Sequence, residues 1–202
     1  VVFVPDIEPG LALRVLGGRM ARVIAASVPD TAAYFPGKRV VETGYPLRPA
    51  VLEATRAEGQ ARFNLDPARP VLLVFGGSRG ARALNTLVGE IAPDLLAGGV
   101  QILHITGRLD WPQVEARHAA LPDAARAGYQ IFPYRSDIGY AFAAADLVIS
   151  RAGAATLAEY PHHALPAILV PYPHAWRYQK VNADYLAGRG AAIRLDEDRL
   201  AA

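Results

Sequence analysis

The sequence predicts an α/β fold built on a parallel, doubly wound, Rossmann-like sheet. Three observations carry this. Apolar β-branched runs alternate with helical segments along all 202 residues. Runs such as Val71-Leu72-Leu73-Val74-Phe75 and Leu147-Val148-Ile149 are apolar on both faces, as strands covered by helices on each side must be. Two of the runs end in small-residue turns that open helices, the connection of a β-α-β unit.

Taken in order, Val1-Val2-Phe3-Val4 reads as a buried strand, followed by a helix near 10–19 and strands at 22–27 and 39–42. Thr43-Gly44-Tyr45-Pro46-Leu47-Arg48-Pro49 then breaks the pattern with a glycine and two prolines, and a helix over 47–58 takes its start at the second proline. A loop ending Asp66-Pro67-Ala68-Arg69-Pro70 leads into the strongest strand, 71–75. Beyond it, strands at 100–105, 129–132, 146–150, 167–170 and 191–194 alternate with helices near 80–96, 111–120, 137–144, 154–160 and 175–188, and a last helix opens at 196. Acidic residues gather in Asp196-Glu197-Asp198, where a helix N-terminus favours negative charge. Residues 1–46 are expected to be the tail of one domain and 47–202 most of a second, in a chain that is a piece of a longer protein.

Composition narrows the function classes. A formal net charge of +2, with arginines scattered rather than blocked, gives no footprint for nucleic acid. The absence of cysteine excludes disulfides and thiolate metal sites. No apolar run approaches the roughly 20 residues of a membrane-spanning helix.

Three segments carry candidate chemistry. In Phe75-Gly76-Gly77-Ser78-Arg79-Gly80-Ala81, a buried strand runs through a glycine turn into a helix, so backbone N–H groups can approach an anion. It is neither a Gly-Lys-Ser/Thr phosphate loop nor Gly-x-Gly-x-x-Gly; a plain strand–helix turn is the simpler alternative. In Ser150-Arg151-Ala152-Gly153-Ala154-Ala155-Thr156, a second small-residue turn opens a helix bearing Glu159, whose carboxylate can accept two ribose hydroxyls or simply face solvent. In the third, a proline-stiffened loop at 171–173 precedes Gln179 and Asn182, three apart and so on one helix face, as paired amides for sugar hydroxyls or as a solvated face.

Together and in this order, GGSRGARALN at 76–85, ISRAGAATLAE at 149–159 and PAILVPYPHAWRYQKVNADYL at 166–186 resemble the MurG family of bacterial N-acetylglucosaminyltransferases, and Thr43–Arg48 is similar to that family's interdomain hinge. The resemblance implies a GT-B fold of two Rossmann-like domains, with UDP-GlcNAc against the C-terminal one and an undecaprenyl-linked acceptor against the N-terminal one. It implies an inverting transfer of GlcNAc to lipid I, giving lipid II for peptidoglycan, by an enzyme peripheral on the cytoplasmic face of the membrane. Carried over by position, Gly77, Ser78 and Gly80 with Arg48 would hold the diphosphate. Arg151, Ala152, Gly153, Ala154 and Thr156 would form the second phosphate-side turn, Glu159 would hold the ribose, Gln179 and Asn182 the GlcNAc, and Tyr134 and Arg135 would flank the uracil. No metal or other cofactor is assigned, and no general base.

The sequence departs from the family at Tyr178, where a histidine is usual, at Ala164, where glycine is usual, and at Arg135, where the uracil flank is usually apolar. Phe3-Val4-Pro5-Asp6 stands in place of a His-Glu-Gln-Asn acceptor segment. His104, in a strand, reads as a satisfied core histidine, and His162-His163 as a surface turn, because neighbouring helical positions point apart. A nucleotide-sugar epimerase, a non-catalytic nucleotide-sugar-binding subunit and a transferase for diacylglycerol or a secondary metabolite are the alternatives. The paired amides and the GGSRGA turn argue against the epimerase.

Overall fold

A computed structural model describes residues 1–77, 80–175 and 177–200. Its strands fall into two parallel sheets. The first contains β1 (Val2–Val4), β2 (Val23–Ala26) and β3 (Arg39–Glu42) in that order, with α1 (Leu11–Met20) between the first two and a 3-10 turn over Pro29–Tyr34 before the third. Its small core joins Val4, Ile24, Phe35 and Ala21. The stretch Thr43–Arg48 then leads to α2 (Pro49–Leu52) and α3 (Arg56–Arg62).

The second sheet is built from β4 (Val71–Phe75), β5 (Gln101–Ile105), β6 (Tyr129–Phe132), β7 (Leu147–Ser150), β8 (Ala167–Leu169) and β9 (Ala192–Arg194). Its order is β6-β5-β4-β7-β8-β9, parallel at every pairing. The connections carry α4 (Arg82–Ala97), α5 (Trp111–Ala119), α6 (Asp123–Arg126), α7 (Ile138–Ala144), α8 (Thr156–His162) and α9 (Tyr178–Ala187). This is the doubly wound Rossmann order, which reverses direction between its first and fourth strands, here β4 and β7.

Burial explains why β4 is the strongest strand signal. Leu73 packs with Leu103, Val148, Phe142 and Tyr160 on one side, while Leu72 and Val74 pack with Leu84, Val88 and Ile102 on the other. Ile7 and Val28, from loops of the first sheet, belong to the same cluster as Ala183 of α9, so the two parts of the chain share a core.

The single helix expected over 47–58 is two helices. Thr55 is extended and its Oγ1 accepts from Glu58 N at 3.3 Å, while Thr55 N donates to the Glu58 carboxylate at 3.1 Å. That reciprocal capping box starts a new helix at Arg56 and turns α3 onto α7. The helix expected from 175 begins at Tyr178, and the one expected from 196 is, among the described residues, a 3-10 turn over Glu197–Arg199. No helix among the described residues is long and apolar enough to cross a membrane.

Candidate functional site

The carboxyl ends of β4 and β7 lie side by side, with Phe75 opposite Ser150. A cavity of about 900 Å³ opens there, at the point where the strand order reverses. Open α/β sheets bind their ligands at this place because the two connections leave in opposite directions and part.

The first wall is the turn after β4. Gly77 and Gly80 have φ of 84° and 81°, and a Cβ at Gly80 would run into the carbonyl oxygen of Thr106. Glycine is therefore required at Gly80 by both conformation and space. Gly80 N donates to Gly77 O at 3.0 Å, and Ala81, the N-cap of α4, gives that helix no side-chain cap. The uncapped N–H groups and the positive end of a 16-residue helix thus border the cavity. Ser78 lies outside the described residues.

The second wall is the turn after β7. Thr156 closes it by donating from Oγ1 to Gly153 O at 2.6 Å, and a Cβ at Gly153 would point into open space. Gly153, Ala154, Ala155 and Thr156 line the cavity, whereas the side chain of Ala152 is buried beneath it. The guanidinium of Arg151 is already engaged. It pairs with Glu197 at 2.5 Å, donates to Val170 O and Pro171 O at 3.2 and 3.4 Å, and lies over the Tyr172 ring at 5.3 Å. Its charge is countered before any ligand arrives.

Arg48, the N-cap of α2, and Glu159, on α8, face the same cavity. Glu159 is half-buried; burial pushes its carboxyl above the ordinary range, and the Arg48 charge pulls it back. A carboxylate held like this is an acceptor lacking full hydration, suited to hydroxyl donors. Gln179 lines the cavity too, with Oε1 accepting from Tyr172 N at 2.8 Å, which leaves its amino group to donate.

Asn182 requires a correction. Although three residues from Gln179 on α9, it is 0% exposed and off the cavity wall. Its Nδ2 donates to Asp6 Oδ1 at 2.8 Å and to Ala152 O at 3.1 Å, and its Oδ1 accepts from Ile7 N at 3.4 Å. An amide so committed has nothing left for a sugar.

Tyr134 and Arg135 are also away from the wall. Arg135 donates from Nε and a terminal nitrogen to Asp137 at 2.8 and 2.6 Å and lies 4.8 Å over the Phe132 ring, while Tyr134 sits under Arg108 at 5.2 Å. Conversely, the cavity takes in Tyr45, Arg82, Leu109 and Asp110, which sequence patterns did not select. Tyr45 carried a signal as part of the hinge-like Thr43–Arg48 segment, and Arg82 as part of the GGSRGARALN motif at 76–85, though neither was given a role.

His104 is 0% exposed, with Nδ1 and Nε2 each 2.8 Å from a partner, Tyr129 Oη and Asn85 Oδ1. Among the described residues, no group of three or more histidine, cysteine or carboxylate side chains is placed to hold a metal. Two of the three acidic residues at 196–198 are drawn into ion pairs: Asp196 with Arg194 at 2.9 Å, and Glu197 with Arg151.

Residues 71–202 match the model of the glycosyltransferase family 28 C-terminal domain. The chain belongs to glycosyltransferase family 28. This family 28 chain is 41% identical over 199 residues to a protein of Frankia casuarinae named UDP-N-acetylglucosamine--N-acetylmuramyl-(pentapeptide) pyrophosphoryl-undecaprenol N-acetylglucosamine transferase, across 96% of its own length and 51% of the relative's. A protein of the same name from Roseiflexus is 36% identical, with 100% and 53% covered. The crystal structure of Acinetobacter baumannii MurG superposes with a TM-score of 0.72 at 29% identity, over 97% of this chain and 52% of that one. The fold of the family 28 chain is thus of the GT-B class, and the chain spans about half the length of the curated relatives it matches.

Proposed function

We propose that the chain is the donor-binding part of an inverting N-acetylglucosaminyltransferase that moves GlcNAc from UDP-GlcNAc to an undecaprenyl-linked muramoyl-pentapeptide acceptor, converting lipid I to lipid II. The observation that carries this is the cavity where β4 and β7 part, walled by two glycine turns and overlooked by Glu159 and Gln179. The names borne by its relatives supply the donor and acceptor. On this reading residues 1–46 belong to the acceptor-side domain and 47–202 to the donor-side domain, and the whole enzyme works peripherally on the cytoplasmic face of the membrane.

Each wall has a task. The turn at Gly76–Gly80, Ser78 and the N-terminus of α4 receive the diphosphate, with Arg48 opposite. Glu159 accepts from the ribose hydroxyls, and Gln179 donates to a GlcNAc hydroxyl. Inversion follows when the acceptor hydroxyl attacks the anomeric carbon from the side away from UDP. The C–O bond to UDP breaks as the new one forms, and the acceptor's proton passes to a base outside the donor cavity. Negative charge then grows on the β-phosphate, where fixed N–H dipoles and arginine stabilise it without reorganising.

Calorimetry with UDP and UDP-GlcNAc tests the donor reading, and a radiolabelled transfer assay on the full-length enzyme tests the reaction. Absence of UDP binding would overturn the first. Label entering a lipid acceptor equally well from UDP-glucose would overturn the second. The chain alone is expected to bind UDP and to form no lipid product.

A further inference from the structure

A buried line of hydrogen bonds runs from β6 to the cavity wall. Tyr129 Oη lies 2.8 Å from His104 Nδ1, and His104 Nε2 lies 2.8 Å from Asn85 Oδ1. Asn85 Nδ2 donates to Thr106 O and to Asp110 Oδ2, both at 3.0 Å. Asp110 Oδ1 accepts from Arg82 Nε at 3.0 Å. Tyr129, His104, Asn85 and Asp110 are all buried.

Chemistry fixes the direction of every bond. Thr106 O and the Asp110 carboxylate can only accept, so Asn85 must turn its amino group to them and its oxygen to His104. The flipped amide would set its oxygen against two acceptors. His104 Nε2 therefore carries the hydrogen, and Nδ1 accepts from the Tyr129 hydroxyl. Burial holds the His104 ring neutral, with its pKa pushed down to about 3, so this arrangement persists at any pH the protein meets near neutrality.

The line ends on a charge. Asp110 is a buried carboxylate, and its cation is Arg82, the first residue of α4, which lines the cavity with a side chain 77% exposed. Among the described residues, Asp110 is the one partner of the Arg82 guanidinium, reached through Nε. A guanidinium fork anchored at Nε keeps its terminal nitrogens for an anion in a preset orientation. The other arginines of the cavity differ: Arg151 is neutralised by Glu197, and Arg48 lies in the field of Glu159. The line also reaches the first glycine turn, because the Thr106 oxygen that Asn85 holds is the one against which Gly80 packs.

We propose that Arg82 is a direct ligand of the donor's diphosphate, and that Asp110, Asn85 and His104 are positioning residues that hold its guanidinium and the floor of the glycine turn in one geometry. The ligand class is a nucleoside diphosphate, and the inference rests on the reading of the cavity as a UDP-sugar site.

The test is titration of the chain with UDP by calorimetry and with uridine by ligand-observed NMR. Arg82→Ala is expected to weaken UDP about ten- to hundredfold, the effect of losing hydrogen bonds to a charged group, and to leave uridine within about twofold. Arg82→Lys, which keeps charge without the fork, falls between. Asp110→Asn should weaken UDP several-fold in the parent and distinctly less in the Arg82→Ala background, the remainder being its effect on the glycine turn through Asn85, whereas a role independent of Arg82 would act equally in both. Should Asp110→Asn fail to fold, Asp110→Ser goes through the same cycle. A parent that does not bind UDP sinks the donor-site reading itself. A parent that binds UDP while Arg82→Ala binds it equally, or loses uridine in proportion, overturns the role of Arg82 alone. Equal losses for the Asp110 variant in both backgrounds overturn the positioning line.

Discussion

Asn182 and Asp6 are 176 positions apart in sequence, yet the amide of one donates to the carboxylate of the other at 2.8 Å. The same amide group holds Ala152 O, in the turn after β7, and its oxygen holds Ile7 N. One side chain of α9 therefore fastens the loop after β1 to the floor of the candidate donor site.

Asn182→Ala leaves a buried N–H and carbonyl unpaired and removes the carboxylate's donor, which is expected to lower stability by about 1–3 kcal/mol in urea denaturation. The loss should depend on pH. Burial raises the Asp6 carboxyl above its ordinary 3.8, while the bond from Asn182 pulls it down. A raised folded-state carboxyl contributes stability at low pH that is lost as pH rises through its folded value. Without Asn182 that value rises further, so the deficit of the variant should be larger at pH 7 than at pH 4. A pH-independent deficit would mean that the bond to Asp6 contributes nothing.

Ala164 occupies the left-handed region with φ of 48°, in the turn that follows α8. A side chain there costs roughly 1–2 kcal/mol, and the added freedom of glycine in the unfolded chain returns about 0.4–1 kcal/mol of that. Ala164→Gly is therefore expected to stabilise the protein by up to about 1.5 kcal/mol. A lower urea midpoint would show that the strain is absent.

All nine strands expected from the sequence form, each within one residue of its expected ends, and β4 and β7, buried on both faces, write their pattern in consecutive apolar residues. The two glycine turns were equally legible, since their requirement is local. The break at Thr55 was written in Thr55-x-x-Glu58, but the run beginning at Pro49 overshadowed it. The 3-10 turn at Pro29–Tyr34 and the one-turn α6 have no apolar period to announce them. What the sequence could not carry was closure in space. Gln179 and Asn182 look equivalent at i and i+3, and only the approach of Asp6 and Ile7 separates a cavity amide from a buried one. Arg82 and Asp110 meet across 28 positions for the same reason.

His104 should weaken the protein in acid. Its folded-state pKa, pushed down to about 3 by burial, lies below the ordinary 6.5, so the unfolded chain binds the proton first. Stability is complete above about 6.5 and falls as pH drops towards 3, by at most about 1.4 kcal/mol per unit from this group. Nitrogen-15 NMR at pH 5 should find one protonated ring nitrogen, Nε2, and one bare nitrogen, Nδ1. A doubly protonated ring would contradict both the burial and the direction of the hydrogen-bond line.

Glu159 and Gln179 allow nucleotide and sugar recognition to be separated. Glu159 is half-buried with its carboxyl raised by desolvation, so its charge is a burden on the empty protein at neutral pH and part of the binding surface when a diol is present. Glu159→Gln is expected to leave stability at pH 7 unchanged or improved and to remove the decline that sets in as pH rises above the ordinary 4.5. It should nevertheless weaken UDP and UDP-GlcNAc alike, because an amide offers one accepting head where the carboxylate offers two. Gln179 lies on a different element, with Oε1 held by Tyr172 N. Gln179→Ala should leave UDP affinity within about twofold while removing whatever extra affinity UDP-GlcNAc has over UDP, a net hydrogen bond being worth about 0.5–1.5 kcal/mol. Asn182→Ala, by contrast, should reduce stability without selectively erasing that preference, since its amide faces Asp6 and Ala152 rather than the cavity. Calorimetry of the three variants with both ligands decides the matter. Equal loss of UDP and UDP-GlcNAc in Gln179→Ala would remove Gln179 from the sugar site, and a loss of sugar preference in Asn182→Ala alone would return that role to Asn182.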